Sequence, residues 1–218
     1  MTPCKYDWLD TAHVDFERKV ILVLGAGVTG LSIVRWLARK GAVVALADSR
    51  IDAPGVSQIR REFPEMTTYM GSFKDSIFTG IDMVVSSPGV PLEDIPLQKL
   101  QKIGVPVFGD IEIFLRENAK NEGGKVVAIT GTNGKSTVTR MVERILQECG
   151  LDAVAVGNIG VPVLEVLEQI ERRARKMPDV FVLEMSSFQI DTTYSFECDA
   201  AVAQSPPPES PPIAFHSG

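Results

Sequence analysis

The chain has 218 residues, 44% of them hydrophobic, enough to bury one large core or two modest ones, with the length favouring two domains. Its formal net charge of −6 argues against a nucleic-acid partner, which would require a basic surface. Cys4, Cys149 and Cys198 lie far apart without C-x-x-C spacing, no apolar run reaches membrane-span length, and the acidic N-terminus lacks the form of a signal peptide, so a cytoplasmic protein without a membrane partner is expected.

From Lys19 to Val107 short β-rich runs alternate with helical patterns, the sequence form of a parallel sheet with helices on its faces. The spacing predicts strands at Val20–Leu24, Val43–Ala47, Thr67–Met70, Met83–Val85 and Val105–Phe108. Leu31, Val34, Leu37 and Ala38 recur at helical spacing between the first two strands, which makes a βαβ unit. Gly25-Ala26-Gly27-Val28-Thr29-Gly30 follows the first strand and opens that helix, the context of a G-x-G-x-x-G nucleotide-binding turn. The alternative is that these glycines only permit tight helix–strand packing. Asp48 ends the second strand, where a dehydrogenase would bind a ribose hydroxyl pair, so NAD is one candidate ligand from this half alone. Ser86-Ser87-Pro88-Gly89 is expected on the same carboxyl edge, as a ligand contact or as an ordinary strand-to-loop turn.

The polar, glycine-rich stretch Glu117–Gly124 is the expected domain boundary, giving an N-terminal Rossmann-like domain over 1–120 and a second α/β domain with a phosphate loop over 121–203. The run Val126–Thr130 then leads into Gly131-Thr132-Asn133-Gly134-Lys135-Ser136-Thr137. A strand turning through glycines into a helix points backbone N–H groups at one spot, and the helix N-terminus adds partial positive charge. Lys135 supplies a mobile cation, and the hydroxyl of Ser136 or Thr137 can join the coordination of a Mg²⁺ carried with a nucleoside triphosphate, as in ATPases and GTPases. The standard spacing would place a glycine at position 129, where Ile129 stands, so the loop is a shortened G-x-x-G-K-[ST] form.

Val138, Met141, Val142, Ile145, Leu146 and Cys149 form a stripe expected to be buried, with Cys149 in the core. A strand at Ala153–Val156, a helix from Pro162 to about Lys176 and an apolar strand at Val180–Leu183 continue the alternation. Arg172-Arg173-Ala174-Arg175-Lys176 reads as a solvated helix end complementing its own dipole. Glu184 falls at the carboxyl end of a buried strand, the natural second anchor for Mg²⁺ beside a phosphate loop, or else a surface glutamate at a strand end. Residues 204–218 are proline-rich and are expected to form a disordered tail. His13 and His216 lie near the termini, so a histidine metal site or a Ser-His-Asp triad is not expected.

Taken in order, Gly25–Gly30, Asp48-Ser49-Arg50, Ser86–Gly89, Gly109-Asp110-Ile111-Glu112, Ala128–Thr137, Gly157-Asn158-Ile159-Gly160 and Leu183–Asp191 resemble the Mur ligase family. Within it, Glu184–Gln189 together with the N-terminal glycine turn points to the ligases that add D-glutamate to UDP-N-acetylmuramoyl-L-alanine. The resemblance implies that Val28, Thr29, Asp48, Ser49, Arg50, Ser87, Pro88 and Gly89 bind the UDP part of the substrate. It places Asn158 and Ser186 at substrate-side contacts, Gly131–Thr137 around ATP, and Ser136 and Glu184 on Mg²⁺, with Lys135 and Glu184 as the catalytic pair. It further implies that the substrate carboxylate attacks the γ-phosphate to give an acyl phosphate, which the amino group of D-glutamate displaces. The partners are then small molecules and the protein a monomer. After Val202 the family continues into an Asp-His segment and a C-terminal domain not found in these 218 residues, so this chain alone is expected not to complete ligation and the ATPase-type domain to be incomplete.

Overall fold

The computed structural model describes residues 14–204, which fold as α/β with two parallel sheets. The proline-rich segment from Ser205 onward, His13, His216 and Cys4 lie outside the described residues.

The first sheet is built from β1 (Val20–Leu24), β2 (Val43–Asp48), β3 (Thr68–Met70), β4 (Met83–Ser86) and β5 (Val107–Gly109), in the order β3-β2-β1-β4-β5. All four pairings are parallel. Side chains alternate across a strand, so β1 sends Ile21 and Val23 to one face and Leu22 and Leu24 to the other. The first face lies under α1 (Val28–Arg39) and α2 (Val56–Glu62). The second is closed by Ile77, Phe78, Ile95 and Leu100, the last on α3 (Leu97–Lys102). The strand order reverses direction at β1, placing the crevice between the carboxyl ends of β1 and β4.

The polar stretch expected to mark the domain boundary begins as helix. In α4 (Asp110–Lys120), Glu117 and Asn118 are buried, and the chain turns only afterwards, where Asn118 Nδ2 donates to the Gly124 carbonyl at 2.8 Å. The second sheet contains β6 (Lys125–Gly131), β7 (Ala153–Gly157), β8 (Val180–Glu184) and β9 (Ala200–Gln204), again all parallel, in the order β7-β8-β6-β9. Gln204 therefore belongs to a strand and not to the tail expected from position 204; it pairs with Gly131. The helices here are α5 (Lys135–Glu148), α6 (Val163–Glu171) and the short α7 (Ser187–Asp191). The helix at 162–176 is shorter than expected, since Arg173 takes a left-handed conformation with φ of 57°.

One core cluster runs through both halves: Trp36 and Phe108 belong to it with Phe114, Phe181 and Leu164. Phe114 of α4 meets Phe181 of β8 edge-on, with ring centroids 4.9 Å apart. Ion pairs join the end of α1 to α6, with Arg39 on Glu171 at 3.0 Å and Lys40 on Glu171 at 2.6 Å. The expected burial of Cys149 is not observed. Cys149 is exposed, as are Met141 (56%) and Ile145 (57%), because the face that α5 turns to the sheet is made by Thr139, which is buried, and by the partly buried Val138, Val142 and Leu146.

Candidate functional site

Two clusters of the residues singled out above stand at the carboxyl edges of the two sheets. In the first, β1 turns into α1 through the glycines. A Cβ on Gly30 would lie 1.8 Å from the Gly25 carbonyl oxygen, so the helix can approach the strand only with glycine there. Ser87 docks against this turn, its N–H donating to the Leu24 carbonyl at 2.9 Å. Val28 is 74% exposed at the mouth, Thr29 and Pro88 are half-buried, and Ser49 and Gly89 are exposed.

Asp48 is buried and already committed within the protein. Its Oδ2 accepts from the Ala26 N–H at 2.7 Å and from Arg50 Nη2 at 2.7 Å, and its Oδ1 accepts from the Arg50 N–H and Nε, both at 2.9 Å. Burial alone would raise its pKa, but the hydrogen bonds from Arg50 and Ala26 outweigh it and hold the carboxyl below the usual range. Asp48 thus fastens the glycine turn and orients Arg50, whose side chain is 58% exposed.

In the second cluster, β6 delivers Gly131 to the loop and α5 starts at Lys135 after Gly134, which takes φ of 74°. Thr132, Asn133, Ser136 and Thr137 are exposed, while Lys135 folds over the loop and donates to the Gly131 carbonyl at 2.7 Å. Glu184 ends β8, the strand beside β6, in register with Ile129. It is 1% exposed; its Oε1 accepts from Asn158 Nδ2 at 3.0 Å, whereas its Oε2 is buried without a hydrogen-bond partner. A buried carboxylate oxygen left unpaired is costly, so it marks a place where a cation or donor belongs.

The donors here are hard oxygens: the Glu184 carboxylate and the hydroxyls that open α5. Among the described residues no group of three or more His, Cys, Asp or Glu could hold a metal by itself. Such a set suits Mg²⁺, which retains waters and takes one or two protein oxygens together with substrate phosphates.

Ser186 lies on the adjoining segment, where it caps α7. Its Oγ accepts from the Gln189 N–H at 3.3 Å, and Gln189 Oε1 accepts from the Ser186 N–H at 3.1 Å, a capping box.

The N-terminal domain of MurD-like Mur ligases matches residues 19–109, and the Mur ligase middle domain matches residues 129–204. The UDP-N-acetylmuramoylalanine–D-glutamate ligase of Methylobacillus flagellatus is 48% identical over 188 residues, covering 86% of this chain and 40% of that protein. The ligases of the same name from Chromobacterium violaceum and Nitrosospira multiformis are 43% and 42% identical, each over 86% of this chain and over 41% and 40% of their own lengths. The chain belongs to the Mur ligase family. It spans about 40% of the length of the curated relatives it matches.

In this Mur ligase chain the residues that tie the two clusters together escaped the sequence reading of individual side chains. Gln189 Nε2 donates to Asp110 Oδ1 at 3.3 Å, across from α7 to α4. Complete burial pushes the Asp110 carboxyl up to about 6, against the lowering effect of the Gln189 hydrogen bond. Two residues on, Glu112 accepts from the N–H groups of Tyr194 at 2.7 Å and Ser195 at 2.8 Å, from Ser195 Oγ at 2.8 Å and from Arg116 Nε at 2.5 Å. Acidic residues opening a helix, as in Gly109-Asp110-Ile111-Glu112, were the only available signal, and local spacing does not show which distant donors they meet.

Proposed function

We propose that this chain carries the UDP-sugar crevice and the ATP phosphate cradle of a ligase that adds D-glutamate to UDP-N-acetylmuramoyl-L-alanine in peptidoglycan precursor synthesis. The observation that carries the reading is the orphaned Oε2 of buried Glu184, on the strand next to the Gly131–Thr137 loop. That pairing suits a magnesium–triphosphate, and the relatives' names supply the acceptor. On this reading Val28, Thr29, Ser49, Arg50, Ser87, Pro88 and Gly89 receive the UDP moiety, with Asp48 setting the turn and Arg50, and with Asn158 and Ser186 on the substrate side of the second cluster.

The loop N–H groups and Lys135 stabilise charge on the transferred phosphoryl group, which is catalysis by positioning and electrostatics. Ser136 and Glu184 would hold Mg²⁺, which when bound neutralises phosphate charge. An oxygen of the substrate carboxylate attacks the γ-phosphorus, the bond to ADP breaks, and an acyl phosphate forms. The amino nitrogen of D-glutamate then attacks the acyl carbon, loses a proton, and inorganic phosphate leaves as the amide forms. Both substrates are small molecules, and the reading places a monomer in the cytoplasm.

Calorimetric titration of the 218-residue chain with Mg·ATP, with UDP-N-acetylmuramoyl-L-alanine and with NAD tests it. Binding of the first two, with Lys135→Ala weakening Mg·ATP by at least about tenfold and leaving the UDP-sugar unaffected, is expected. Binding of NAD alone would overturn the reading in favour of an oxidoreductase.

A further inference from the structure

β9 lies on the opposite side of β6 from β8, so the strand that leads into the phosphate loop is flanked at its carboxyl end by two polar residues, Glu184 and Gln204. Gln204 is half-buried and pairs with Gly131, the first residue of the loop. Its side chain lies against the loop. A Cβ on Gly131 would fall 2.5 Å from the Gln204 Cβ, and a Cβ on Gly134 would fall 3.2 Å from Gln204 Oε1 and 3.5 Å from its Nε2. The stem of Gln204 thus passes Gly131, and its carboxamide stands over Gly134, the residue that immediately precedes α5.

Gln204 Oε1 is buried without a hydrogen-bond partner, as Glu184 Oε2 is on the other side of β6. An unmet acceptor costs free energy, so packing alone would favour an apolar side chain at this position. The last torsion of a glutamine is broad and roughly two-fold, and a half-turn exchanges oxygen for nitrogen with little change of shape. Nε2 then offers a donor beside a loop whose N–H groups and helix terminus already favour an anion. Ionised phosphate oxygens accept hydrogen bonds, which suits that donor. We infer that Gln204 is a direct, uncharged contact of the triphosphate, donating from the β9 side of the cradle while Glu184 serves the cation from the β8 side. This deepens the function proposed above and rests on it.

Gln204→Leu, which removes the amide, and Gln204→Glu, which keeps the shape and the acceptors but loses the donor, test the inference in the full 218-residue chain. ATP affinity is measured by calorimetry at saturating Mg²⁺ and across a Mg²⁺ titration, with thermal melting and UDP-N-acetylmuramoyl-L-alanine affinity as controls. Gln204→Leu should weaken ATP about tenfold at saturating Mg²⁺, as expected for one hydrogen bond to a charged group. Gln204→Glu should weaken it further, because a carboxylate repels phosphate, and the excess should shrink as salt is added. The Mg²⁺ requirement, melting and UDP-sugar affinity should stay at wild-type values. Wild-type ATP affinity in Gln204→Leu overturns the inference, as does an equal loss of UDP-sugar affinity. Affinity kept or raised in Gln204→Glu also overturns it, since the residue would then be an acceptor for metal-bound water. A wild-type chain that binds no ATP would sink the proposed function and this inference together, whereas ATP binding indifferent to both substitutions sinks the inference alone.

Discussion

On the first sheet both faces are closed by large side chains: Leu22, Leu24, Phe78 and Leu100 fill one layer, and Ile21, Val23, Trp36 and Phe108 belong to the other. On the second, one face shares that second layer through Phe181 and Leu183, while the other, among the described residues, buries Ile129, Ala153, Val180 and Val182, with Val127, Val138, Val142 and Leu146 partly buried against them. Burial on this scale contributes roughly 25 cal/mol for each Å² removed from water, so the faces differ substantially in what they add to stability. The phosphate loop thus joins a central strand, β6, to a helix whose stripe is half in solvent, whereas the glycine turn at Gly25 joins two fully packed elements. The loop proposed above to hold a nucleotide sits on the less secured partner, in keeping with the low local stability of ligand-binding segments.

The largest effect that could break this contrast is expected at Trp36. It is fully buried, meets Phe16 edge-on with centroids 5.2 Å apart, and belongs to the cluster that spans both sheets. Trp36→Ala should cost about 3–5 kcal/mol in urea unfolding. Because the layer is shared, hydrogen exchange should quicken in β8 as well as in β1; protection lost from the first sheet alone would show the layers to be independent. Next comes Glu112, which is fully buried with donors from Arg116, Tyr194 and Ser195. Glu112→Ala leaves a buried guanidinium without that partner and should cost about 3 kcal/mol, with faster exchange at the Tyr194 and Ser195 amides.

The strands from β1 to β8 were legible from short apolar runs between turn residues, because alternating burial writes itself directly into composition. Their ends shifted by a residue or two where polar side chains such as Asp48, Ser86 and Glu184 complete a strand at the carboxyl edge of its sheet. Glu184 was legible as a strand-end acid; that its Oε2 is orphaned and its Oε1 tied to Asn158 was not, since the pair is 26 residues apart. Asp110 with Gln189, 79 residues apart, escaped for the same reason. The stripe of α5 was correctly periodic, but periodicity tells which residues share a face and not whether anything lies over it. Cys149 is exposed on that account. The strand β9 was missed because alanines give little strand signal and prolines begin at position 206.

Asp110 sharpens the comparison through pH. Its carboxyl is raised by burial to about 6 in the folded state, above the value of about 4 it has when unfolded. The folded chain therefore binds more protons than the unfolded one between these values, and stability should rise as pH falls from about 6 to 4, by roughly 2–3 kcal/mol. Asp48 runs the other way, since its lowered pKa confers stability that is lost only as pH falls below the unfolded value. Asp110→Asn should raise stability at pH 7 and flatten the rise on acidification, read as urea midpoints between pH 4.5 and about 7. A slope left intact would place its origin elsewhere.

The smallest effect belongs to the thin face. Ile145→Ala and Met141→Lys change side chains that are 57% and 56% exposed, so each should alter stability by less than about 0.5 kcal/mol. The same exposure predicts that Cys149 in the folded chain reacts with iodoacetamide at close to its rate in urea. Cys198 should react more slowly, its half-buried thiol raised first by burial and then by the charge of Asp199. Protection of Cys149 to the level of Cys198, or a cost above about 2 kcal/mol at Ile145, would mean that α5 is covered in solution as fully as α1. The contrast between the two sheets would then disappear, and with it the argument that the phosphate loop rests on the less secured helix.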